Sequence, residues 1–214
     1  MSEASTAASP AKIKGENSPL IMSILPLLIL FGGAVALLWL SQKDMASTYK
    51  YWEIFVPIVA VIALISGWGQ AYVSDNNRLW YLIRQLVQWG LLIGLLYILN
   101  TQGIRPLLSD QQYTGIVLYL LAFTTLVAAV QMDFKLVFFG LFLVFCAYLI
   151  MVPADNPTLI GVGNQFGIAD PQTKPLTVSM ALAAVGFVAS LFVLLMVRGA
   201  MSSKRAAQRR KAEA

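Results

Sequence analysis

Residues 111–154 read QQYTGIVLYLLAFTTLVAAVQMDFKLVFFGLFLVFCAYLIMVPA and carry only two charges, Asp133 and Lys135. A helix rises 1.5 Å per residue, so about 20 apolar residues cross the roughly 30 Å of bilayer hydrocarbon. The stretch is therefore long enough for two crossings. A single helix through all of it would hold Asp133 and Lys135 at mid-membrane, where charge is costly. Gln131–Lys135 is expected instead to be a tight turn between two spans.

Working outward, further charge-free runs cover 17–42, 54–74, 85–104 and 175–197. Together they predict an all-α, polytopic membrane protein, a bundle of six transmembrane helices occupying 19–198. The spans are placed near 20–41, 54–72, 79–99, 113–132, 135–152 and 176–197. Arg84 sits about one turn inside the third, close enough to its end to snorkel to the headgroups. Composition agrees: 58% of the 214 residues are hydrophobic and 12% charged, against about 25% charged in a soluble domain.

Orientation follows lysine and arginine, which stay on the cytoplasmic side. With both termini inside, that side collects Lys12, Lys14, Arg78, Arg84, Lys135 and the six basic residues of the C-terminal tail. That is eleven of the 15 basic residues; Lys43, Lys50, Arg105 and Lys174 lie opposite. Residues 1–18 are expected to form a disordered cytoplasmic tail, and 199–214 a basic one. The first apolar run is too long for a signal-peptide core, so it is expected to act as an uncleaved anchor.

Several chemistries are excluded. The chain has no histidine and one cysteine, Cys146. It therefore lacks the commonest metal ligand, the usual general base near neutral pH and any thiolate pair. The aspartates are scattered singly, and no Asp, Glu, Lys or Arg falls at the centre of a span. Neither an enzyme nor a cofactor is expected, and a charge-lined ion path is disfavoured.

What remains is packing. Gly90 and Gly94 form a GxxxG pair in the third span, a spacing that lets backbones approach closely. Ser179, Ala183, Gly186 and Ser190 make a longer stripe of small residues in the last span. Gln88, mid-span and polar, is expected to bond across helices. The longest connection, Pro153–Pro175, carries four prolines yet keeps Leu159, Ile160, Val162, Phe166 and Ile168, and is expected to be a partner-docking loop. Arg198, Lys204, Arg205, Arg209, Arg210 and Lys211 hold the tail inside and attract anionic headgroups, at about 1 kcal/mol per basic residue. Nucleic acid is not expected as a partner; the bilayer and another membrane protein are.

These features point to a non-catalytic multi-pass protein of a bacterial inner membrane, an accessory, scaffold or assembly subunit. The alternative is a small transporter or channel for a neutral or lipidic solute.

Overall fold

The computed structural model describes residues 18–73, 78–131, 134–152 and 155–212. Among them it contains seven α-helices and no strand. They are α1 (Ser18–Lys43), α2 (Met45–Val73), α3 (Arg78–Thr101), α4 (Asp110–Gln131), α5 (Leu136–Met151), α6 (Pro157–Gln165) and α7 (Pro175–Ala212). Five of these, α1 to α4 and α7, are long and apolar enough to cross a membrane. Of the tail expected over 1–18, residues 1–17 lie outside the described residues and Ser18 opens α1.

The fifth and second expected spans depart from their bounds, and α7 continues past 197 to Ala212. The fifth expected span, 135–152, forms a helix of only 16 residues, about 24 Å long. It stops at Val152, whose φ of −126° and ψ of 76° are not helical; the next residue in the sequence is Pro153, and a proline disfavours helical backbone in the residue before it. The second helix starts nine residues early, at Met45. Asp44 makes that possible, because its Oδ1 accepts from the backbone N–H of Ala46 at 3.0 Å and of Ser47 at 3.4 Å. Such a cap supplies acceptors for N–H groups that a helix start leaves unpaired. The Ser47 hydroxyl and N–H hold the Asp44 carboxyl below its ordinary range.

α4 and α5 lie side by side as the central pair. α4 packs on α2 and α3, whereas α5 packs on α7 and α1. The close approach depends on Gly140, where an added Cβ would stand 2.7 Å from the Leu126 side chain. Phe31 meets Phe139 at 5.3 Å and 73°, Phe142 at 5.6 Å and Phe187 at 6.1 Å and 81°. Phe55 joins them at 6.5 Å from Phe139. Edge-to-face rings interlock favourably. This matters in a bilayer, where lipid tails are as apolar as leucine and packing must drive association.

The periphery is apolar as well. Only 17% of the apolar stretch of α3, and the same share of α7, is buried, against 61% for α4. Leu91 and Ile98 on α3, and Val188, Phe192 and Leu195 on α7, point outward. An outward face of this kind suits hydrocarbon rather than water.

Candidate functional site

The polar chemistry gathers at one end of the bundle, where the α1–α2, α3–α4 and α5–α7 connections meet. Local sequence builds that end. α3 stops before Gly103, which adopts a φ of 72°, a conformation open to glycine and costly for other residues. Ser109 then opens α4 with a reciprocal cap. Its Oγ accepts from Gln112 N–H at 3.2 Å, and its own N–H donates to Gln112 Oε1 at 3.1 Å, the capping-box arrangement.

Between these turns Arg105 is clasped. It pairs with Asp110, and its guanidinium carbon lies 4.2 Å from the Tyr49 ring centroid and 4.6 Å from that of Tyr113. The two rings meet edge-on at 85°. Burial acts against the Arg105 charge, and Asp110 outweighs it, so the pKa stands above its ordinary value. The buried Nε has no hydrogen-bond partner among the described residues, so the ring faces help offset its burial. Tyr113 Oη donates to Glu53 Oε1 at 2.5 Å. The clasp thus ties α2 to α4 and to the connection between α3 and α4.

Beside it, at the same end, opens a cavity of about 510 Å³. Its polar wall is Ser41, Gln42, Gln111, Gln172 and Thr173; Leu38, Met45, Leu149, Ile150 and Leu159 supply apolar surface. Ser41 Oγ donates to Leu37 O at 2.9 Å and accepts from the indole N–H of Trp52, also at 2.9 Å. Gln111 Nε2 donates to Ile150 O at 2.5 Å, joining α4 to the end of α5. Two sides of the cavity are thereby fixed.

The remaining side comes from the long connection, which is a folded element. Asn156 caps α6 by accepting from Thr158 N–H at 3.1 Å and Leu159 N–H at 3.0 Å. Pro157 follows at the first helical position, where its missing N–H costs nothing. The helix ends in a Schellman turn: Gly167 has a φ of 66°, Ile168 N–H donates to Gly163 O at 2.9 Å, and Gly167 N–H to Asn164 O at 3.0 Å. A Cβ at Gly163 would lie 2.4 Å from Pro171, so glycine is what lets α6 rest on the turn Pro171–Thr173.

No family model, no curated protein and no solved structure matches this chain. Its functional reading therefore rests on residues and geometry.

The residues singled out in the sequence divide sharply. Ser179 and Ser190 are fully buried and Ala183 nearly so. A Cβ at Gly186 would stand 3.0 Å from the Phe31 ring. Ser190 Oγ lies 2.9 Å from Lys135 O and 2.8 Å from Gly186 O. The stripe thus faces α1 and α5. Gly90 and Gly94 are otherwise placed: among the described residues a Cβ at either would meet nothing within 4 Å. Gln88 does bond across helices, its Nε2 donating to Thr124 O at 2.8 Å.

Of the residues expected to form a partner-docking loop, most lie against the bundle. Leu159 is only 2% exposed, and Val162 and Ile168 pack against the same core. Ile160 is half-buried and Phe166 is 38% exposed. Leu159, Val162 and Ile168 turn inward because α6 folds back over the helix ends, whereas Phe166 stays exposed. In the tail, the α7 backbone stays helical to Ala212. The side chains of Arg198, Lys204, Arg205, Arg209, Arg210 and Lys211 lie outside the described residues.

Sequence reasoning passes over the clasp because Tyr49, Glu53, Arg105, Asp110 and Tyr113 come from separate segments. The available signal is that all five fall near the ends of apolar runs expected on the same side. Tyr113→Phe removes the donor to Glu53 and is expected to cost about 2 kcal/mol, the scale of a hydrogen bond to a charged group. Glu53→Gln keeps an acceptor and should cost less. Melting temperatures in detergent read the difference; an unchanged value for Tyr113→Phe refutes the clasp.

Proposed function

We propose that this chain is a non-catalytic, multi-pass protein of a bacterial inner membrane, serving as an accessory, scaffold or assembly subunit of a larger membrane complex. In this reading it crosses six times with both termini cytoplasmic. The short α5 fits as a sixth crossing because α4, α7 and α1 pack against it, so it need not match the bilayer thickness by itself. The outer end then holds the clasp and the cavity.

The observation that carries the reading is the filled centre. The rings of Phe31, Phe55, Phe139 and Phe142 interlock where a solute path would run. The clasp and the cavity lie at one end. The face of α3 around Gly90 and Gly94, where an added Cβ would meet nothing within 4 Å among the described residues, gives a partner helix room to approach. Transport of a neutral solute has the end cavity in its favour and the aromatic centre against it.

Topology is tested with a reporter active only outside the cytoplasm. Fusions after Asp110 and Gly163 should be active, and fusions after Asp75 and Glu213 silent; activity at Glu213 overturns the orientation. Purification from native membranes should return the chain in stoichiometric complex with a larger membrane protein. A homo-oligomer that moves neutral solute across liposomes overturns the subunit reading.

A further inference from the structure

The cavity at the connection end has a consistent chemistry. Among the described residues no charged side chain lines it, so an ionic ligand would lose hydration without gaining a counter-ion there. The Gln42 and Gln172 amides offer both donors and acceptors; Gln111, which donates to Ile150 O, and Thr173, whose hydroxyl donates to Asp170 O, add acceptor oxygens. Gln42, Gln172 and Thr173 are exposed, at the mouth, whereas Leu38, Leu149, Ile150 and Leu159 are deeply buried. One end of the space therefore suits hydroxyl or carbonyl groups, and the other hydrocarbon. Its size, about 510 Å³, falls within the roughly 300–1,000 Å³ of small-molecule sites.

Position adds to this. Ser41 and Gln42 lie in the last turn of α1, Gln111 in the first turn of α4 and Ile150 in the last turn of α5, and Pro175 opens α7. The cavity lies where helices stop, at the level where a lipid exchanges its tail for its head. Folding α6 over the bundle end brings Leu159 into the wall instead of leaving the space open on that side.

We propose that this cavity binds one uncharged amphiphile per chain, with a hydroxyl- or ester-bearing head at the glutamines and a hydrocarbon tail against the leucines. Monoacylglycerols have this chemistry. The inference goes beyond the subunit reading and stands without it, because binding at one end requires neither transport nor a partner.

The test uses the full chain in phosphatidylcholine nanodiscs, with native mass spectrometry after release. Monooleoylglycerol should be retained at one molecule per chain, while oleate and glycerol should not. Thr173→Trp places a ring at the mouth, away from the packed core, and should lower the affinity about tenfold. Gln172→Leu leaves the space but removes an amide, and should weaken retention with the melting temperature unchanged. Preference for monooleoylglycerol over monobutyrylglycerol added from water supports a bilayer source, and equal retention supports a soluble ester. Equal retention by wild type and both variants, equal binding of oleate or glycerol, or no retained monooleoylglycerol overturns the proposal.

Discussion

Gly140→Leu is expected to destabilise the protein by about 3 kcal/mol, at the upper end of what overpacking a core costs. The first carbon of the new side chain would already stand 2.7 Å from Leu126 Cγ and Cδ2, and 3.4 Å from the Leu126 backbone nitrogen. Leu126 can rotate away from one carbon but not from an isobutyl group, so α4 and α5 must separate. These two helices are the central pair, and α5 also carries Phe139 and Phe142, which fill the middle of the bundle. Gly90→Leu is the matched control. It adds the same side chain to a helix of the same chain where nothing lies within 4 Å, and should leave the melting temperature unchanged. Equal loss at the two positions would refute the α4–α5 packing described above.

Phe139→Ala is expected to cost a similar amount, about 3 kcal/mol, through the cavity it leaves. Phe139 is fully buried and touches rings from two other helices, Phe31 on α1 and Phe55 on α2. In water part of such a loss would come from transfer of the side chain out of solvent. In a bilayer that part shrinks, and the lost contacts remain. Phe139→Leu keeps most of the volume and should cost less than half as much. The comparison is again thermal, with Phe123→Ala as reference, since Phe123 is 67% exposed and faces away from the bundle. If Phe139→Ala and Phe123→Ala behave alike, the aromatic centre is not what holds the helices together.

The glycines show where sequence reading reaches its limit. Gly90 and Gly94 have the spacing of a packing motif, yet an added Cβ at either would meet nothing within 4 Å among the described residues; Gly115 and Gly140 have no such spacing, yet an added Cβ would stand 2.3 Å from the Met151 side chain and 2.7 Å from that of Leu126. A spacing rule finds a smooth strip on a helix but not what lies opposite it. In a helix as uniformly apolar as α5, no polar side marks the outward direction, because lipid and core accept the same residues. The stripe on α7 is more legible, since its small residues alternate with bulky ones around the helix. Even there Leu191, on the bulky side, packs against the core.

Capping signals were legible in the chain. Asn156, Pro157 and Gly167 mark the start and stop of α6 by ordinary helix-end chemistry, although four prolines make the connection resemble a series of turns. Asp44 similarly marks the start of α2, and treating Glu53 as a boundary conceals it. Glu53 belongs within the helix because Tyr113, sixty residues away, donates to its carboxylate.

The sequence by itself determined that this is an all-helical protein with apolar helices of membrane-crossing length, because transfer into hydrocarbon is close to a sum over consecutive residues. It also determined where most of those helices lie, since charge interrupts such a sum wherever it occurs. Only the tertiary structure decided which glycines bring helices together, that the long connection folds inward, and that five polar residues from separate segments form one clasp beside a cavity. Those outcomes depend on contacts between residues far apart in the chain, and such contacts are fixed by the direction each side chain faces once the helices pack.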